Sequence, residues 1–164
     1  MSWSIFRTRC LALTGRQHVK PPQFARTVAN AYHQSVIRHL DTVTGGGRVL
    51  GTTPAPLYAG LLKVMYQNLN SNSKAVSLIS QLQPYIYAYW APAFIVGRIG
   101  VVKITGTGKY TGLYVAQNFD FNIILNHMIY TFAIHMKTLT GIYTSTALPS
   151  VTTPWSGAAL VSLV

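Results

Sequence analysis

The side chains able to do chemistry are few: Asp41 and Asp120, Cys10, and the histidines His18, His33, His39, His127 and His135. The 164 residues contain no glutamate. Glycosidase chemistry needs two carboxylates flanking the scissile bond and could draw on those two aspartates only. Carboxylate cages for calcium or magnesium would need more acids than the chain has. His33 and His39 stand six apart in a helical pattern, and so on different faces. His127 and His135 stand eight apart, about 80° around a helix axis. Asp120 and His127 are seven apart and share a face, but no Gly-x-Ser-x-Gly nucleophile turn accompanies them. Asp120 sits where a helix N-cap belongs, and Asp41 reads as a solvated partner for nearby bases. Neither Cys-x-x-Cys nor His-Glu-x-x-His spacing occurs. The lone Cys10 has no partner for an internal disulfide and reads as a small packed side chain. No catalytic residue, metal or cofactor is expected.

Two glycine loops invite a phosphate reading: Thr44-Gly45-Gly46-Gly47-Arg48 and Gly106-Thr107-Gly108-Lys109. A P-loop needs glycine five residues before the Gly-Lys pair and a Ser or Thr after it. Here Lys103 and Tyr110 occupy those places. The first loop follows a helix, whose negative end repels phosphate. Both loops read as turns.

Charge is the stronger signal. Lys and Arg total 13 against two acids, a formal net charge of +11, yet charged residues are only 9% of the chain, against roughly a quarter in ordinary domains. Residues 1–48 hold Arg7, Arg9, Arg16, Lys20, Arg26, Arg38 and Arg48 against Asp41 alone. Arginine forks suit phosphate and carboxylate equally, so this concentration fits either nucleic-acid backbone or an acidic protein neighbour. Trp3, Phe6 and Trp155 are the expected interface anchors.

The elements that must position these residues follow from periodicity. Apolar residues recur at helical spacing from Phe24 to Val43, from Leu57 to Leu69, from Val76 to Leu82, and from Ile124 to Leu139. Ile95–Thr105 and Tyr110–Phe119 are rich in β-branched and aromatic residues around the second glycine loop, which predicts a hairpin turning at 106–109. The expected fold is α+β, with about four helices (22–44, 55–69, 74–90 and 120–140), a β-hairpin (95–119) and extended arms at both ends. Residues 1–20 form a basic N-terminal arm, 21–141 a single mostly helical domain, and 142–164 an extended apolar C-terminal segment. With Met1 present, the basic start reads as an arm that orders on a partner, not as a cleaved presequence. The uncharged run between Lys74 and Arg98 carries Pro84, Pro92 and several Ser and Gln, too polar for a membrane span.

Hydrophobic residues are 49% and aromatics 12% of the chain. Low charge with many aromatics makes a poor lone soluble protein but an ordinary buried subunit, because obligate interfaces are depleted in charge and enriched in aromatics and arginine. The expectation is a non-enzymatic structural subunit of a large assembly. A virion protein (minor capsid, cement or connector) fits best. Its partners would be other protein subunits, copies of itself among them, and non-specifically nucleic acid. The alternative is an accessory or ribosomal subunit of a mitochondrial complex, with residues 75–97 in or near a membrane.

Overall fold

Two prolines open the longest helix. Pro21 and Pro22 lie in the first turn of α2 (Pro21–Thr44), where a missing N–H costs nothing. Behind them Ala25, Val28, Ala29, Tyr32, Val36 and Leu40 form one buried stripe. The computed structural model describes residues 3–13, 20–44, 46–68, 79–111, 121–147 and 149–160. Among them are five helices and one five-stranded antiparallel sheet, an α+β fold.

The first residues depart from the expected extended arm. Trp3–Leu11 is a helix, α1, and Trp3, Phe6 and Cys10 are buried. These three lie at i, i+3 and i+7, one face of a helix. The arginines between them obscure that stripe in the sequence. Trp3 and Phe6 therefore anchor the chain's own core and are not available to a neighbour.

A short strand β1 (Arg48–Leu50) leads into α3 (Ala55–Asn68) through Gly51, whose φ of 78° suits glycine. The third expected helix is divided. Residues 79–81 are helical, and α4 (Gln83–Trp90) begins anew with Pro84 in its first turn. Proline here starts a helix instead of ending one, as its fixed φ favours. The part of the expected helix before residue 79 lies outside the described residues. Helix α3 approaches α4 closely at Gly60, where a Cβ would overlap the Tyr85 ring. Helix α5 (Phe121–Lys137) follows the predicted fourth helix closely; the proposed Asp120 cap lies outside the described residues. Among the described residues no helix is long and apolar enough to cross a membrane.

A hairpin forms, but it turns elsewhere than predicted. Strands β2 (Phe94–Val96) and β3 (Gly100–Gly106) pair around Gly97-Arg98-Ile99, and Gly97 N–H donates to the Gly100 carbonyl at 2.9 Å. The β-branched run 95–105 hides this turn, because only two glycines mark it. The predicted turn at 106–109 instead carries the chain to Tyr110, whose hydroxyl donates to the Ile79 carbonyl at 2.8 Å inside the core. Residues 112–120, the rest of the predicted second strand, lie outside the description. The C-terminal segment supplies β4 (Thr140–Ser145) and β5 (Thr152–Ser156) and then a 3-10 turn (Gly157–Leu160). Sheet order follows chain order, β1-β2-β3-β4-β5.

Aromatic edges meet at the centre of the core. The Tyr32 and Phe132 rings lie 4.8 Å apart at 79°, Tyr32 and Tyr89 5.1 Å at 86°, and Phe6 and Phe132 5.5 Å at 87°. Edge-to-face pairs of this kind each add about 0.5–1.5 kcal/mol beyond area burial. Trp90 Nε1 donates to the Tyr32 hydroxyl at 2.8 Å, so burying these polar tips leaves neither the indole nor the phenol unpaired.

Because α1 packs its apolar face into this cluster, Phe6→Ala is expected to lower unfolding free energy by about 3–5 kcal/mol. Arg9→Ala, on the exposed face of α1, should change it by no more than about 0.5 kcal/mol. Urea titration of the two variants checks this. Similar small losses in both would mean that α1 is not part of the core.

Candidate interaction surface

Among the described residues, six of the seven cations singled out in the sequence are spread over separate elements. Arg7 is half-buried on α1 and donates to Asn126 Oδ1 on α5. Arg9 is exposed beside Gln23, Thr27 and Asn30 in a shallow groove between α1 and α2. Lys20 is exposed, and Arg16 lies outside the described residues. The Arg26 guanidinium sits 5.6 Å from the centre of the Tyr58 ring, a cation–π contact within the chain. Arg38 is twelve residues further along α2, about 18 Å along the axis and about 120° around it. Arg48 is exposed on β1. Helix α1 places Arg7 and Arg9 on a packed element and not on an extended one. Trp155, on β5, is half-buried against the core.

What the sheet does is more informative. Side chains alternate between its faces, and its register defines two sets. Val49, Ile95 and Val102 lie opposite one another and are buried in the core, with Ile104 beside them. The other face is open. Across all five strands the register aligns Leu50, Phe94, Lys103, Ile142 and Pro154 in one row. All five are exposed, Leu50 by 49%, Phe94 by 38% and Ile142 by 43%. A second row on that face runs Arg48, Val96, Val101, Thr144 and Thr152. An antiparallel sheet with one solvated face normally alternates hydrophobic-in with polar-out. Here the outward positions combine large apolar side chains, threonines and two cations. Scattered exposed apolar residues need no explanation, but a contiguous set does.

Leu50, Phe94 and Ile142 are not among the residues that the sequence singles out. Each stands alone in its own strand, and only the pairing of strands far apart in the chain brings them side by side.

The buried polar groups are arranged for structure. Tyr87's hydroxyl accepts from the Tyr110 N–H at 3.0 Å and from Gln83 Nε2 at 3.2 Å. His33 Nδ1 and the Tyr89 hydroxyl share a hydrogen bond of 2.7 Å. His135 Nε2 donates to the Thr107 carbonyl at 2.6 Å, which puts the ring proton on Nε2 and leaves Nδ1 as a buried acceptor with no protein partner. Burial pushes the Cys10 thiol up to about 12, so it stays protonated and is a poor nucleophile. Among the described residues no three His, Cys, Asp or Glu side chains gather where a metal could sit.

Burial holds the His135 pKa below its usual value, opposed only in part by the hydrogen bond to Thr107. Burial lowers His33 in the same direction. The folded chain therefore binds fewer protons than the unfolded chain once pH falls below the ordinary histidine value of about 6.5. Stability is expected to be full above that pH and to decline as pH falls through it. His135→Gln keeps an amide donor for Thr107 but cannot titrate, and should flatten the decline. Urea midpoints from pH 7.5 to 5 measure this; an unchanged slope in the variant would contradict it.

No protein-family model matches the chain, and neither does any curated protein or solved structure, so the surface is interpreted from its own chemistry.

Proposed function

We propose that this chain is a non-enzymatic structural subunit of a large assembly, and that the assembly is a virus particle in which it serves as a minor capsid, cement or connector protein. One observation carries the reading: an open five-stranded sheet face on which Leu50, Phe94 and Ile142 stand exposed in register. A face of this composition is unfavourable in water and favourable against another protein. The composition supports the same reading. A chain with two acids and 13 bases gains most from neighbours that supply the missing counter-charge.

The helical N-terminus changes how the cations act in this reading. With α1 folded onto the body, Arg9, Arg26 and Arg48 are presented from α1, α2 and β1. Fixed charges steer and register a contact with little ordering cost.

In its native source the chain, of 18.0 kDa, should sediment entirely with a particle many times its own mass and stay with it through washing at moderate salt. Gradient sedimentation followed by mass spectrometry measures this. Recovery of the chain as a free species of its own mass would contradict the proposal.

A further inference from the structure

The structure assigns a specific kind of partner to the open sheet face: a different protein, with an apolar centre and an acidic rim, whose carboxylates meet Arg48 and Lys103. This rests on the structural-subunit reading and names the occupant of its docking surface.

The face has two parts. Leu50, Phe94 and Ile142 supply apolar area in one row, and Val96 and Val101 are half-buried in the next. Lys103 sits between Phe94 and Ile142 in the first row, and Arg48 ends the second. From β1 to β5 the face measures about 19 Å at the usual strand spacing. A partner that covers the apolar row must bury Lys103, and a buried cation without a carboxylate is strongly unfavourable. The required partner is therefore apolar and acidic together.

Charge decides against a second copy. The same face on another copy would bring Arg48 and Lys103 against like charges, and the whole chain has only Asp41 and Asp120 to offer as side-chain acids. Asp41 is on α2 and not in either row of the sheet face. Nucleic acid suits the two cations but not the apolar side chains that flank them. Backbone binding needs a dense run of Lys and Arg, and single-strand binding needs several stacking rings; Phe94 is the only aromatic in either row. Strand addition at an edge is disfavoured as well. The β1 edge is three residues long and carries Arg48, and the β5 edge contains Pro154, both devices that discourage pairing. The face, and not the edge, is the part of the sheet that suits a partner.

The test is carbodiimide cross-linking of the native assembly, which joins a lysine amine only to a carboxylate in direct contact. The expected product links Lys103 Nζ to an Asp or Glu of a different polypeptide. Phe94→Glu and Lys103→Glu should each reduce incorporation into the assembly by about tenfold or more. Both positions are exposed, so circular dichroism of the variants should match the parent. A link from Lys103 only to another copy of this chain, or no link to a foreign carboxylate, overturns the proposal. Release of the chain by nuclease digestion, or Phe94-dependent binding to phosphatidylserine vesicles in place of a protein, also overturns it. If the chain sediments with the particle while both variants incorporate normally, the assignment of this face fails and the subunit reading stands. If the chain never sediments with a particle, both fail.

Discussion

An antiparallel sheet has two faces, and in this chain the helices cover one of them. Period-two alternation sends Val49, Ile95, Val102 and Ile104 into the core and Leu50, Phe94, Lys103 and Ile142 to the other side. A shift of one residue in any pairing would exchange the two sets. The buried set joins the Tyr32–Phe132–Tyr89 cluster, so the register is held by the core and the composition of the open face follows from it. Helix α1 takes part in that constraint. By burying Trp3 and Phe6 it adds to the packed side, while Leu50, Phe94 and Ile142 stand exposed in register on the other face of the sheet.

The acid shortage acquires a physical meaning from this arrangement. Lone domains balance both signs across their surfaces. Here the described cations are spread over α1, α2, β1, α3, the β2–β3 turn, β3 and α5, and the whole sequence has two acids to answer them. The internal polar groups, by contrast, are largely paired within the chain: Trp90 with Tyr32, Tyr110 with Ile79, His135 with Thr107. Among the described residues the exceptions are the Ser35 and Thr131 hydroxyls and His135 Nδ1, which are buried without a hydrogen-bond partner. Polar satisfaction inside and charge imbalance outside describe a fold that is complete in its core and unfinished at its surface.

Long helices were legible in the sequence and long-range pairing was not. Helices α2, α3 and α5 each repeat their apolar stripe over several turns, so their positions could be read to within a few residues. Helix α1 escaped because its buried stripe is only Trp3, Phe6 and Cys10, and with Arg7 and Arg9 between them the segment looks like a basic arm. The hairpin was legible as a kind of element but not in place, because Gly97 and Gly100 carry less of a turn signature than Gly106-Thr107-Gly108-Lys109. The open face could not have been found from sequence. Its row takes one residue from each of five strands, and 43 residues that include α3 and α4 separate β1 from β2. Only the register joins Leu50 to Phe94 and Lys103 to Ile142.

The claim on which the account depends is that this open face is covered in the assembled state. Hydroxyl-radical footprinting of the native particle and of the isolated chain, read residue by residue, tests it most directly. The account predicts that Leu50, Phe94 and Ile142 lose most of their labelling in the particle while buried residues such as Phe132 stay equally unlabelled in both. Equal labelling of Leu50, Phe94 and Ile142 in particle and isolated chain would contradict it.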